Sequence, residues 1–183
     1  IKPEKIVILG DRYELLGCAI AAMSHRIPIA HIHGGEVTSG AIDDSIRHSI
    51  SKLSHLHFVS NGSHKKRLIQ LGEDKNKIFV IGSPDIDIMQ SKRLPNISKV
   101  KKIYNIGFNE YSVLIFHPVT TEYNKINDQT EILLNALKES KKKYIVINPN
   151  NDMGSNFIFR KYNKLKKNKD FKFFESMRFE YFL

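Results

Sequence analysis

The feature that most limits what this chain can fold into is a rhythm. Short apolar runs recur at Lys5–Leu9, Ile27–His31, His55–Val59, Ile78–Ile81, Ser112–Phe116, Tyr144–Ile147 and Phe171–Phe174. Between them lie stretches with helical spacing, at Tyr13–Ser24, Asp43–Leu53, Ser63–Leu71, Asp128–Ser140 and Asn156–Lys167. Runs of four or five residues, rich in β-branched side chains and closed by Gly or Asn, are strands rather than helices. Strands that alternate with helices build a parallel, doubly wound α/β sheet. The runs show no polar alternation, which predicts strands buried on both faces.

The rhythm breaks once. Residues 91–110 are polar, contain Pro95, Gly107 and scattered lysines, and hold one short helical pattern near Ser98–Tyr104. This predicts an interdomain crossing. Residues 1–90 then form the C-terminal part of a first domain and 111–183 the N-terminal part of a second. The chain starts at Ile1, not Met, and stops in the apolar run Phe179–Leu183. Natural domains usually end on polar, exposed segments, so the expectation is a chain cut at both ends and inactive by itself.

Composition excludes several function classes. A single cysteine, Cys18, rules out an intramolecular disulfide framework and a cysteine-based zinc site. It lies in the apolar stretch Leu15–Met23 and is expected to be buried. No apolar stretch reaches the 18 residues a membrane span needs, and no signal peptide is visible, so a cytoplasmic protein without a membrane partner is expected. The net charge of +10 is uneven: residues 1–90 carry +1 and residues 91–183 carry +9. The excess sits in lysine runs such as Lys141–Lys143, with no aromatic ladder beside them. A solvated lysine face is the reading, and nucleic acid is not expected as a partner. The glycine-rich dinucleotide fingerprint and the phosphate loop are both missing from the sequence, so no nucleotide cofactor is expected.

In open α/β sheets, ligands bind at the carboxyl ends of the strands. Five loops there carry residues that titrate or permit close backbone approach. They are Gly10-Asp11-Arg12, His31-Ile32-His33-Gly34-Gly35-Glu36, Gly82-Ser83-Pro84-Asp85, His117-Pro118-Val119-Thr120-Thr121 and Asn148-Pro149-Asn150-Asn151-Asp152. Charged residues just past an apolar strand are poor core material. A helix-capping role is the simpler explanation for any one loop, and a shared site is the better one for the set. In Asp43–His48, helical spacing places Asp43 opposite Arg47 and Asp44 opposite His48, each at i,i+4. His31 and His33 flank one residue, so on a strand they would share a face. No carboxylate spacing completes a metal site with them, and none is expected.

Read in order, these motifs resemble the hydrolysing UDP-N-acetylglucosamine 2-epimerase family. They are Gly10–Glu14, His31–Glu36, Asp43–His48, Gly82–Asp85, His117–Thr121 and Pro149–Asp152, and the resemblance covers essentially the whole chain. It implies two Rossmann-like domains facing a cleft, in the phosphorylase-like GT-B architecture, both incomplete here. It also implies elimination of the nucleotide to give 2-acetamidoglucal, then hydration to N-acetylmannosamine and UDP, feeding sialic-acid-type sugars. Asp11 and Asp43 would be carboxylates near the sugar, and Glu36 a third candidate. Some relatives carry a catalytic Glu where His33 stands, so His33 or Glu36 would take the acid/base role. Arg12 and His117 would contact the diphosphate and Asn150 the nucleotide. The partners implied are a nucleotide-sugar substrate and further copies of the chain. The alternatives are the same chemistry on a GDP-linked or diacetamido-trideoxy sugar, or an interaction module without activity.

Overall fold

The computed structural model describes residues 3–38 and 42–183. Two compact units divide between Asp87 and Ile88. The first holds β1 (Ile6–Leu9), α1 (Tyr13–Ser24), β2 (Ile29–Ile32), α2 (Asp43–Leu53), β3 (Leu56–Val59), α3 (Gly62–Gln70) and β4 (Ile78–Val80), with α4 (Pro84–Met89) spanning the division. Its four strands are parallel and lie in sequence order, with Ile8 opposite His31 and His31 opposite His57. Strand β2 starts two residues later than the apolar run because Pro28 has no N–H to give to a ladder; its carbonyl instead accepts from the Ile6 amide at 2.9 Å.

A right-handed crossover places its helix on one particular face of a parallel sheet. Strands that advance without reversing therefore gather α1, α2 and α3 on the same face. The core agrees: Ile8, Ala19, Ala22, Ile29 and Ile50 pack as one cluster, and Val59, Leu68 and Ile78 as a smaller one. Each of the Ile, Leu and Val side chains contributes about 1.5–3 kcal/mol when fully buried. The other face stays open. Val7 and Leu9 are 66% and 57% exposed, and Phe79 stacks on Phe58 at 5.7 Å. The expectation of strands buried on both faces therefore fails at β1 and β4, since no described helix covers that face.

Cys18 corrects a second expectation. It is exposed, because α1 turns Ala19 and Ala22 to the sheet and leaves Cys18, Ile20 and Met23 on the solvent side.

The second unit holds α5 (Ile97–Ile103), β5 (Ser112–Ile115), α6 (Ile126–Glu139), β6 (Tyr144–Ile147), α7 (Ser155–Leu165), β7 (Phe171–Phe174) and α8 (Phe179–Phe182). Strands β5, β6 and β7 pair in parallel and in order. Central β6 is buried on both faces, while Val113 and Ile115 on β5 are 46% and 45% exposed, as on β1. Helix α6 begins two residues before the sequence pattern suggested, after a 3-10 turn over Thr120–Lys125. The reason is Ile126, which is buried in the core with Leu134, Val146, Ile158 and Tyr162. Burial also pushes the Tyr162 hydroxyl up to about 12. Helix α5 is capped by Asn96, whose side-chain oxygen accepts from the Lys99 amide at 2.9 Å. Tyr104 just after it meets Phe174 edge-on at 5.4 Å, which ties this segment to the second unit.

Candidate active site

In the first unit, chemistry-bearing side chains gather at the carboxyl ends of β1, β2 and β3. Gly10 (φ +79°) turns the chain after β1, and Asp11 follows. Arg47 reaches across from α2 and ion-pairs with Asp11. The same guanidinium bonds Asp44 Oδ1 at 3.2 Å and Thr38 Oγ1 at 3.0 Å. Asp44 in turn accepts the Thr38 amide at 2.7 Å. Arg47 is buried, and burial lowers its pKa from the ordinary guanidinium value. A buried cation persists only when paired, and these two carboxylates supply the pairing. One side chain thus fixes the loop after β1, the tail of the glycine loop and the first turn of α2 relative to one another. The expected i,i+4 pair of Asp44 with His48 is replaced. Asp44 turns to Arg47 at i,i+3 because Arg47 is also needed by Asp11, and the buried Nδ1 of His48 has no hydrogen-bond partner among the described residues. Asp43 opens α2 beside Asp44.

His31 and His33 do not share a face. Strand β2 stops at Ile32, and His33 adopts a left-handed backbone with φ +65°. His31 faces the core. Its Nε2 donates to the Gly10 carbonyl at 2.8 Å, and its Nδ1 accepts from Ser51 Oγ at 3.0 Å. Both ring nitrogens are occupied, and burial holds its pKa near 4. His31 is therefore a neutral tie between β1 and α2. The glycines after His33 are required by space. A Cβ on Gly34 would lie 3.0 Å from Ser51 Oγ. One on Gly35 (φ +76°) would lie 2.6 Å from the His64 carbonyl oxygen, closer than side-chain carbons come.

That close path sets up a second polar cluster. His33 Nδ1 is 2.7 Å from Glu36 Oε1, and Ser60 Oγ donates to the same oxygen at 3.0 Å. Ser60 also meets His64 Nδ1 at 2.8 Å. Arg67 donates to the Gly35 carbonyl and holds the loop from the side of α3. Sequence reasoning singled out His33 and Glu36 but missed Ser60 and His64, and it saw Arg47 only as a partner for Asp43. The signal for Ser60 was its position just past β3, the same place that marked Asp11 after β1.

Arg12 stands at the start of α1. It bonds Glu14 Oε1 at 3.0 Å, a contact that lowers the Glu14 pKa, and its guanidinium lies 5.5 Å from the Tyr13 ring centre.

In the second unit the loops after β5 and β6 meet. The Asn150 amide donates to His117 Nδ1 at 3.2 Å. The Asn150 side chain donates to Asp152, whose own amide returns to Asn150 Oδ1 at 3.3 Å. Gly154 (φ +101°) caps α7, where a Cβ would press Pro118 at 3.3 Å. A groove of about 310 Å³ opens here, lined by Tyr123, Asp152, Gly154 and Asn156 among others. A larger one of about 690 Å³ lies among Ser112 and Lys141–Lys143, at the amino ends of β5 and β6. Ligands of open parallel sheets bind at the opposite end, so the smaller groove is the one beside the candidate residues. Among the described residues, no group of three His, Cys, Asp or Glu could hold a metal. No described helix is long and apolar enough to cross a membrane.

UDP-N-acetylglucosamine 2-epimerase of Neisseria meningitidis is 46% identical over all of this chain and 48% of its own length. The polysialic acid biosynthesis protein P7 of Escherichia coli is 42% identical over 98% of this chain and 46% of its own length. A hydrolysing GDP/UDP-N,N'-diacetylbacillosamine 2-epimerase of Campylobacter jejuni is 43% identical over 80% of this chain and 38% of its length. The crystal structure of Methanocaldococcus jannaschii UDP-GlcNAc 2-epimerase, in complex with UDP-GlcNAc and UDP, superposes with a TM-score of 0.72. It is 20% identical, over 98% of this chain and 51% of that one, and it confirms the GT-B-like α/β architecture. The chain spans about half the length of the Neisseria, Escherichia and Methanocaldococcus proteins. The family model for UDP-N-acetylglucosamine 2-epimerase matches residues 1–183, and the chain belongs to that family.

Proposed function

We propose that the full-length protein is a hydrolysing 2-epimerase that converts UDP-N-acetylglucosamine to N-acetylmannosamine and UDP. The product would feed sialic-acid-type sugars, a reading supported by the polysialic acid relative. The observation that carries it is the Arg47 clamp, which brings Asp11 and the acidic start of α2 together at the carboxyl end of the sheet. The reaction needs proton carriers at C2 and stabilisation of a departing diphosphate. Breaking the anomeric C–O bond while a base removes the C2 proton gives 2-acetamidoglucal. Water then adds across the double bond with C2 inverted. Asp11 and Asp43 serve the proton at C2, and His33 and Glu36 form the remaining acid/base pair. Arg12, His117 and Asn150 contact the nucleotide. Of these, His117 and Asn150 already touch each other, as a shared diphosphate and nucleoside site requires.

The 183-residue chain alone carries about half of the relatives' length and would not turn over. The enzyme would act in the cytoplasm as a homo-oligomer. The test is to incubate full-length protein with UDP- and GDP-linked N-acetylglucosamine and with the UDP-linked diacetamido sugar. Free UDP together with N-acetylmannosamine is the expected result. Free nucleotide only from another substrate would transfer the same chemistry to that sugar, and free nucleotide from none would overturn the reading.

A further inference from the structure

One helix cap fixes the proton positions of a whole polar chain in the first unit. Asn61 caps α3: its Oδ1 accepts the amides of Ser63 at 3.0 Å and His64 at 3.1 Å. Backbone N–H groups can only donate, so the oxygen of that side-chain amide must face them. Its Nδ2, a donor, is left 3.4 Å from His64 Nε2. His64 Nε2 is therefore the acceptor, and in the neutral ring Nδ1 carries the proton. That proton goes to Ser60 Oγ, 2.8 Å away. Ser60 sends its single proton to Glu36 Oε1 at 3.0 Å. An ionised carboxylate only accepts, so His33 Nδ1, 2.7 Å from the same oxygen, is a donor as well. Every proton in the chain points at Glu36 Oε1. A neutral His33 so held has its lone pair on Nε2, which makes no hydrogen bond among the described residues.

We propose that His33, through Nε2, takes the proton of the water that adds to the sugar, and that Ser60 and His64 are positioning residues that hold Glu36 and so fix His33 as the Nδ1–H tautomer. This rests on the epimerase reading above. With Asp11 and Asp43 serving the proton at C2, water addition still needs an acceptor. In that step an O–H bond of water breaks and its proton goes to Nε2. The oxygen lone pair forms the C1–O bond, and the electrons of the C1=C2 bond take up a proton from a carboxylic acid to form C2–H. The imidazolium then returns its proton to solvent. Neither Ser60 nor His64 exchanges a proton with the sugar. Their effect passes through Glu36, as a carboxylate passes its effect through a bonded imidazole.

Full-length wild type and the variants His33→Gln, Glu36→Gln, Ser60→Ala and His64→Ala would be supplied with UDP-N-acetylglucosamine. Proton NMR follows the sugar and chromatography the nucleotide. His33→Gln is expected to keep releasing UDP and 2-acetamidoglucal, while N-acetylmannosamine formation falls by about 100-fold or more. Ser60→Ala and His64→Ala are expected to slow hydration by about tenfold at unchanged KM. A second readout does not need turnover: 15N spectra of histidine-labelled protein should show His33 as the Nδ1–H tautomer, and as a mixture in Ser60→Ala and Glu36→Gln. N-acetylmannosamine at the wild-type rate from His33→Gln would overturn the catalytic half. An Nε2–H tautomer of His33 in the wild type would overturn both halves, since Nε2 would then have no lone pair to take the proton. A wild type that frees no nucleotide from this sugar or from the GDP-linked and diacetamido sugars would sink the epimerase reading and the catalytic half with it, and the tautomers would then decide the positioning half alone.

Discussion

The two loop clusters are built to different standards. In the first unit, Arg47 and Glu36 are each held by several partners on different elements, and the two glycines leave little room for a Cβ. In the second unit, His117 and Asn150 are linked by one backbone hydrogen bond beside an open groove. Proton transfer needs carriers held to within tenths of an ångström, whereas gripping a nucleotide tolerates adjustment. Under the proposed function, the first unit would carry the chemistry and the second the grip.

The contrast can be broken most severely at Gly35. An alanine there combines a positive φ with a Cβ pressed on the His64 carbonyl oxygen. Gly35→Ala should cost about 4 kcal/mol, read as a lower urea midpoint. Gly154→Ala, in the second unit, meets only side-chain carbons, of Pro118 at 3.3 Å and Ile126 at 3.6 Å, and should cost about half as much. Equal losses would remove the asymmetry.

Acid comes next. Burial holds His31 near 4, below the ordinary 6.5. The unfolded chain binds that proton first, so stability is full above about pH 6.5 and is lost as pH falls toward 4. The loss is on the order of 3 kcal/mol. His57, also lowered by burial, acts in the same direction. Urea midpoints at pH 7 and 4.5 check this, and a His31→Asn variant should flatten the difference.

Arg47→Met should cost about 2 kcal/mol. Removing one member of a fully buried ion pair costs more, but Asp11 and Asp44 are partly exposed and regain water. The smallest effect on stability is expected from Asn150→Ala, under about 1 kcal/mol, with UDP affinity falling about tenfold.

Much of this fold was legible because local pattern decided it. The spacing of Tyr13–Ser24 and the β-branched run Tyr144–Ile147 match α1 and β6 residue for residue. Asp11 and Glu36 stood out because charge directly after an apolar strand has no core role. Ser60, His64 and the second carboxylate of Arg47 stayed hidden because their meetings depend on loops from different strands. Cys18 was misplaced because an apolar helix offers several faces, and only packing selected the alanines for the sheet. The open faces of β1 and β5 reflect strand order, which no single segment encodes.

The most direct test compares one residue from each cluster in the full-length protein. Asp11→Asn keeps the size of the side chain and removes its capacity to take a proton, while His117→Ala removes the proposed nucleotide contact. With UDP-N-acetylglucosamine as substrate, kcat and UDP affinity would be measured for both. Asp11→Asn should lower kcat about 10²–10⁴-fold with UDP affinity nearly unchanged, and His117→Ala should weaken UDP binding and rate together. Near-normal turnover by Asp11→Asn would mean that Asp11 is only the partner of Arg47, and that the chemistry does not reside in the first unit's clamp.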